Sequence, residues 1–158
     1  MPSSADVALM RQALAAATKG LRHGGGPFGA VVAAETGHVL AVAVNAVIVA
    51  SDPTAHAEIT AIRRAAARRG TWNLRGCTLA TTCAPCLMCT GAIHWAGIRH
   101  VIAGARAADA EAIGFVEGPA GFDAAAFLTR RGVRYEPDVL RNAAVAVLAA
   151  YQGPVYNG

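Results

Sequence analysis

His56-Ala57-Glu58 and, 27 residues after that glutamate, Pro85-Cys86-Leu87-Met88-Cys89 decide how this chain is read. Zinc takes imidazole nitrogen and thiolate sulfur, and a catalytic zinc keeps three protein ligands with a fourth position open to water. Cys86 and Cys89 stand three residues apart at a predicted helix start, so their sulfurs project from one turn toward a common point. The exposed N–H groups and dipole of that helix end favour thiolate over thiol. His56, at the start of another predicted helix, completes a His-Cys-Cys set. Glu58 follows two residues on, close enough to handle protons at that centre without ligating it. Other readings of the cysteines exist. A Cys-x-x-Cys can be a redox pair or half of a structural zinc knot, and Cys83 could add a third thiolate and close the site. A closed site leaves Glu58 without a task, so the open, catalytic arrangement is expected, with Cys77 and Cys83 buried and inert.

Outward from this motif, the chain alternates helical and strand patterns. Ala5 to Arg22 carries Val7, Met10, Leu14 and Ala17 at helical spacing and ends at the breaker His23-Gly24-Gly25-Gly26-Pro27. Phe28–Ala34 and His38–Ala50 are β-branched runs joined by Glu35-Thr36-Gly37, which predicts a hairpin. Ser51-Asp52-Pro53-Thr54 supplies helix-start chemistry for Ala55–Arg69, closed by Gly70. Cys77–Thr82, Arg99–Ala105 and Val133–Glu136 are predicted strands. Cys86–Ala96, Phe122–Arg131 and Asp138–Tyr151 are predicted helices. A hairpin followed by alternating elements implies a layered α/β domain on a mixed sheet of about five strands.

Composition excludes several classes. Of 158 residues, 54% are hydrophobic and 15% charged, which is incompatible with intrinsic disorder and suits one domain spanning 1–158. No apolar run approaches the roughly 18 residues that span a bilayer. The opening Met1-Pro2-Ser3-Ser4-Ala5-Asp6 lacks the basic start of a secretion signal. A soluble, cytoplasmic protein is expected, and four cysteines within residues 77–89 then point to metal or redox chemistry. The net charge is +4, with Lys19 the one lysine among 14 basic residues. The cluster Arg63, Arg64, Arg68 and Arg69 could meet phosphates or solvate a helix face; the solvated face is the expectation.

The His-x-Glu and Pro-Cys-x-x-Cys pair is the signature of zinc deaminases, whose glutamate carries protons rather than metal. The chain resembles the cytidine-deaminase-like superfamily, in particular its branch acting on free nucleobases and on tRNA adenosine. The matching segments are Gly26-Pro27-Phe28-Gly29-Ala30-Val31, Asn45, Asp52 through Glu58 to Ile62, Cys83 through Cys89, and Gly91-Ala92-Ile93-His94-Trp95-Ala96. The resemblance implies a three-layer fold, a five-stranded mixed sheet with helices on both faces, and a homodimer. It implies Zn2+ on His56, Cys86 and Cys89, Glu58 as the proton carrier, and the Cys86 backbone N–H as a donor to the developing oxyanion.

Within the branch, Pro27-Phe28-Gly29-Ala30 and the segment ending Trp95-Ala96 are similar to guanine deaminases. That likeness implies hydrolysis of guanine to xanthine and ammonia. Asn45 would then bond the base edge, Phe28, Ala57 and Trp95 would line the pocket, and His56 would stack on the base. Glu117 would read the purine, with Glu111 and Asp109 in reserve, and Tyr156 would close the mouth. The branch also admits cytosine, an s-triazine such as ammeline, a nucleoside, or tRNA adenosine. Nucleic acid is not the expected partner, because Asn142–Ala150 lacks basic residues. One departure stands out: Ala84 occupies the place where the family usually has glutamate, so a support of the metal-binding loop is absent or replaced.

Overall fold

The computed structural model describes residues 1–156 of the chain. Helix α1 (Ser4–Leu21) begins in a reciprocal cap: the Ser3 hydroxyl accepts from the Asp6 N–H while the Asp6 carboxylate accepts from the Ser3 N–H. Its buried stripe, Leu9, Met10, Ala13, Leu14 and Ala17, follows the helical spacing of the sequence. Strands β1 (Gly29–Ala33) and β2 (Val39–Val44) form the expected hairpin, and α2 (Val47–Ala50) and α3 (Ala57–Arg69) follow. The chain continues through β3 (Thr78–Cys83), α4 (Leu87–Ala96), β4 (His100–Ala105), α5 (Ala107–Glu111), α6 (Ala124–Arg130), β5 (Arg134–Glu136) and α7 (Arg141–Ala149).

The sheet order is β2-β1-β3-β4-β5. β1 pairs antiparallel with β2 and β3, whereas β3, β4 and β5 run parallel. Helices α1 and α7 pack together, as do α3 and α4, and both α1 and α3 lie against β1 and β2. Every residue of β1 is buried, as in a strand covered on both faces. This is the expected α/β architecture with its five-stranded mixed sheet.

Two expectations need correction. The second hairpin strand does not run to Ala50; it stops at Val44. The Asn45 side-chain oxygen accepts from the Val47 N–H at 3.2 Å, which turns the chain out of the sheet and into α2. Hydrophobic, β-branched Val47-Ile48-Val49 carries a strand signal, and the single Asn before it overrides that signal. Helix α5 was not expected at all, because five residues are too few to show a helical period.

The arginine cluster has a structural use. β2 is an edge strand, and its carbonyls at Val42 and Leu40 accept from Arg64 (2.9 Å) and Arg68 (3.4 Å), one turn apart on α3. Arg69 donates to the Cys77 sulfur at 3.2 Å, and Arg63 lies 4.0 Å from Asp52. An edge with unpaired carbonyls is a template for intermolecular pairing, and the two guanidinium groups occupy that template. Replacing Arg64 and Arg68 together by alanine should leave the circular dichroism spectrum unchanged and raise light scattering on heating. Scattering equal to wild type would show that the edge is protected by other means.

Candidate metal and catalytic centre

The site sits where the parallel strands end and two helices begin. His56 is the N-cap of α3 and Cys86 the N-cap of α4, so both helix N-termini point at one volume. The His56 Nδ1 lies 3.5 Å from the Cys86 sulfur and 3.6 Å from the Cys89 sulfur. Ligand atoms of all three residues fall within 4.8 Å of one another. Tetrahedral zinc, with bonds of about 2.0 Å to nitrogen and 2.3 Å to sulfur, separates those atoms by roughly 3.5 Å. The donor set therefore fits zinc in number, type and spacing.

Electrostatics agree with that use. The Cys86 thiol is pulled down to about 4 by the hydrogen bond it receives from Cys89, with His56 adding to the effect against burial. Cys89 is pushed up by the same hydrogen bond and by its burial. Burial opposes a charged His56 ring, but the Cys86 sulfur together with the charges of Glu58 and Glu117 raises the pKa on balance. Cys83 is buried, its pKa is raised by desolvation, and its sulfur faces the Arg106 carbonyl at 3.6 Å. It is therefore a neutral thiol outside the His56–Cys86–Cys89 group. Cys77 is likewise buried.

Glu58, in the first turn of α3, is buried, and desolvation followed by the Cys86 charge raises its pKa. Its Oε1 accepts from the Thr81 hydroxyl at 3.0 Å. A carboxyl with a raised pKa beside a metal-ligand set is suited to accept and return protons. Glu58 shares one small cavity, about 10 Å³, with Phe28, Asn45, His56, Cys83, Ala84, Glu117 and Tyr156. Six residues picked from the sequence as substrate contacts or as the proton carrier, Phe28, Asn45, His56, Glu58, Glu117 and Tyr156, thus meet at one place.

Each lining group is held. Asn45 spends its side-chain oxygen on the Val47 N–H, which leaves its NH2 to donate into the cavity. Phe28 meets Phe115 edge to face at 5.2 Å, and Phe115 meets Tyr156 at 4.8 Å. The main chain of Glu117 accepts from the Leu87 N–H at 2.9 Å, tying that loop to the start of α4. Tyr156 is so close over Gly26 that a Cβ there would overlap its hydroxyl. The Ala84 N–H donates to the Ala105 carbonyl at 2.8 Å, which ties the metal-binding loop to the end of β4.

Other expected contacts are not brought here. Trp95 is 78% exposed on α4 and touches His94. The buried face of α4 is Cys89, Thr90, Ile93 and Ala96, and a residue two positions from Ile93 falls on the opposite side. Trp95 is therefore no wall of this cavity. Ala57 is wholly buried in the core rather than lining the cavity. Asp109 is paired with Arg141 at 2.6 Å, and Glu111 borders a separate cavity of about 630 Å³ beyond Glu117. Of the three acids considered for the purine, Glu117 alone reaches the small cavity. Thr81 escaped the sequence reading, because a threonine in a strand carries no motif that marks it.

Residues 3–105 match the family model described as the cytidine and deoxycytidylate deaminase zinc-binding region. The chain is 45% identical over 107 residues to the guanine deaminase of Bacillus subtilis, covering 67% of this chain and 68% of that one. A solved guanine deaminase from Nitrosomonas europaea superposes with a TM-score of 0.86 at 35% identity, covering 94% of this chain and 84% of the other. A structure in complex with 2,6-diaminopurine gives a TM-score of 0.89 at 36% identity, covering 99% and 88%.

Elemental analysis of purified protein checks the ligand set. Wild type and Cys83→Ser should each carry about one zinc per chain, and Cys89→Ser should lose most of it. Zinc lost from a folded Cys83→Ser would contradict the three-residue site.

Proposed function

The chain belongs to the cytidine and deoxycytidylate deaminase zinc-binding family, and from that premise we propose that it hydrolyses free guanine to xanthine and ammonia. His56, Cys86 and Cys89 hold the zinc. The observation that carries the reading is one cavity in which Glu58, the metal-ligand histidine, an amide donor at Asn45 and a carboxylate at Glu117 face each other. When bound, zinc supplies Lewis acidity that brings the pKa of water to about 7.

The chain's own groups do the rest. Glu58 takes a proton from the attacking water and delivers it to the ring nitrogen, then carries the remaining hydroxyl proton to the amine, which leaves as ammonia as the C–N bond breaks. The Cys86 backbone N–H donates to the oxygen that gains charge at the tetrahedral stage. Guanine offers acceptors on one edge and N–H donors at N1 and the 2-amino group on another. Asn45 NH2 matches the first, and the Glu117 carboxylate matches the second. Phe28 and His56 flank the flat ring. Tyr156 lines the cavity beside Asn45 and Glu117, where it is placed to lie over a bound base.

A free base suits the surface better than tRNA, because the arginines of α3 are engaged with β2, Asp52 and Cys77. The chain works as a homodimer in the cytoplasm. Exposed Leu87 and Trp95, on the helix that bears Cys89, support an apolar contact with a second copy. Among the described residues, no helix is long and apolar enough to cross a membrane.

Ammonia release from guanine, cytosine, ammeline, adenosine and a tRNA anticodon stem-loop tests the substrate, with guanine expected to lead. Glu58→Gln should keep zinc and fold while losing about 10²- to 10⁴-fold in turnover. Glu117→Gln should reduce kcat/KM for guanine by about tenfold or more and leave a substrate without that donor pair less affected. Deamination of the stem-loop with none of guanine would replace this reading by the nucleic-acid one.

A further inference from the structure

Thr81 and Thr82 are adjacent on β3 and both buried, yet their hydroxyls face different partners. Thr82 accepts from the Gly29 N–H at 3.0 Å, a bond between two strands of the sheet. Thr81 lies 3.0 Å from the Glu58 Oε1 and 3.0 Å from the Cys83 carbonyl oxygen. A threonine hydroxyl has one hydrogen and two lone pairs, so it can donate to only one of these acceptors at a time. The Cys83 carbonyl opens the segment Ala84-Pro85-Cys86 that leads to a metal ligand.

We infer that Thr81 is a positioning residue for the reaction: its hydroxyl lies between the Glu58 carboxyl and the Cys83 carbonyl that opens the loop to Cys86, and so holds that carboxyl in register with His56, Cys86 and Cys89. A β-branched threonine suits the task because its methyl group packs in the sheet and limits χ1. The inference rests on the reading of Glu58 as proton carrier.

The test compares Thr81→Val, which keeps the shape and removes the hydroxyl, with Thr81→Ser, which keeps the hydroxyl. Zinc-loaded Thr81→Val should hold its zinc and show KM within about twofold of wild type. Its kcat should fall about 10- to 100-fold, the loss expected when a buried charged group forfeits one hydrogen bond. Thr81→Ser should recover kcat to within about threefold of wild type. In protein labelled with carboxyl-13C glutamate, the resonance that disappears in Glu58→Gln should shift in Thr81→Val and return in Thr81→Ser. Wild-type kcat in Thr81→Val, a serine variant no better than valine, loss of zinc, or an unmoved resonance would each overturn the inference. If the valine variant does not fold, Thr81→Ala takes its place with the same readouts. Whether wild type turns over guanine judges the proposed function separately, since the resonance needs no substrate.

Discussion

Three donor atoms from two helix starts must converge within a few ångströms, and this constraint organises the rest of the molecule. His56 caps α3, Cys86 caps α4, and Cys89 lies in the first turn after it. Two partial positive helix ends aimed at one point favour thiolate there and disfavour a second cation unless thiolates balance it. The sheet holds the geometry. β3 delivers the loop to Cys86, and the mutual packing of α3 and α4 fixes the distance between the two caps. Zinc then makes folding and site assembly interdependent, since a cysteine must be deprotonated to hold it.

Around that centre the polar groups are few and each is restrained. Buried polar groups need partners, and here the partners double as positioning devices. Val47 fixes the Asn45 amide, Leu87 fixes the Glu117 loop, and Thr81 fixes Glu58. The aromatic stack from Phe28 through Phe115 to Tyr156 links the floor of the cavity to the end of the described chain. Tyr156 lines the same cavity as Asn45 and Glu117, with its ring against Phe115.

Most of this was legible from residues with a strong local signature. His56, Glu58, Cys86 and Cys89 announce themselves by type and spacing, and Asn45, Phe28, Glu117 and Tyr156 meet them as the resemblance implied. Trp95 lies on the exposed face of α4, outside the cavity of its own chain, and sequence alone does not say which helix face a residue takes. The strand expected over His38–Ala50 was too long because β-branched residues speak for extended backbone until an Asn side chain interrupts them. Thr81 was invisible because its importance lies in what stands across from it, and one chain's sequence does not carry that pairing. The arginine cluster was ambiguous in sequence for the same reason; its carbonyl partners on β2 lie more than twenty residues away.

The most direct test of the central claim is turnover of guanine by the zinc-loaded chain in heavy-oxygen water, with products read by mass spectrometry and ammonia counted in parallel. Hydrolysis at the amino-bearing carbon predicts xanthine carrying one heavy oxygen and one ammonia per xanthine. A zinc-loaded, folded chain that leaves guanine intact, or xanthine formed without the label, would contradict it.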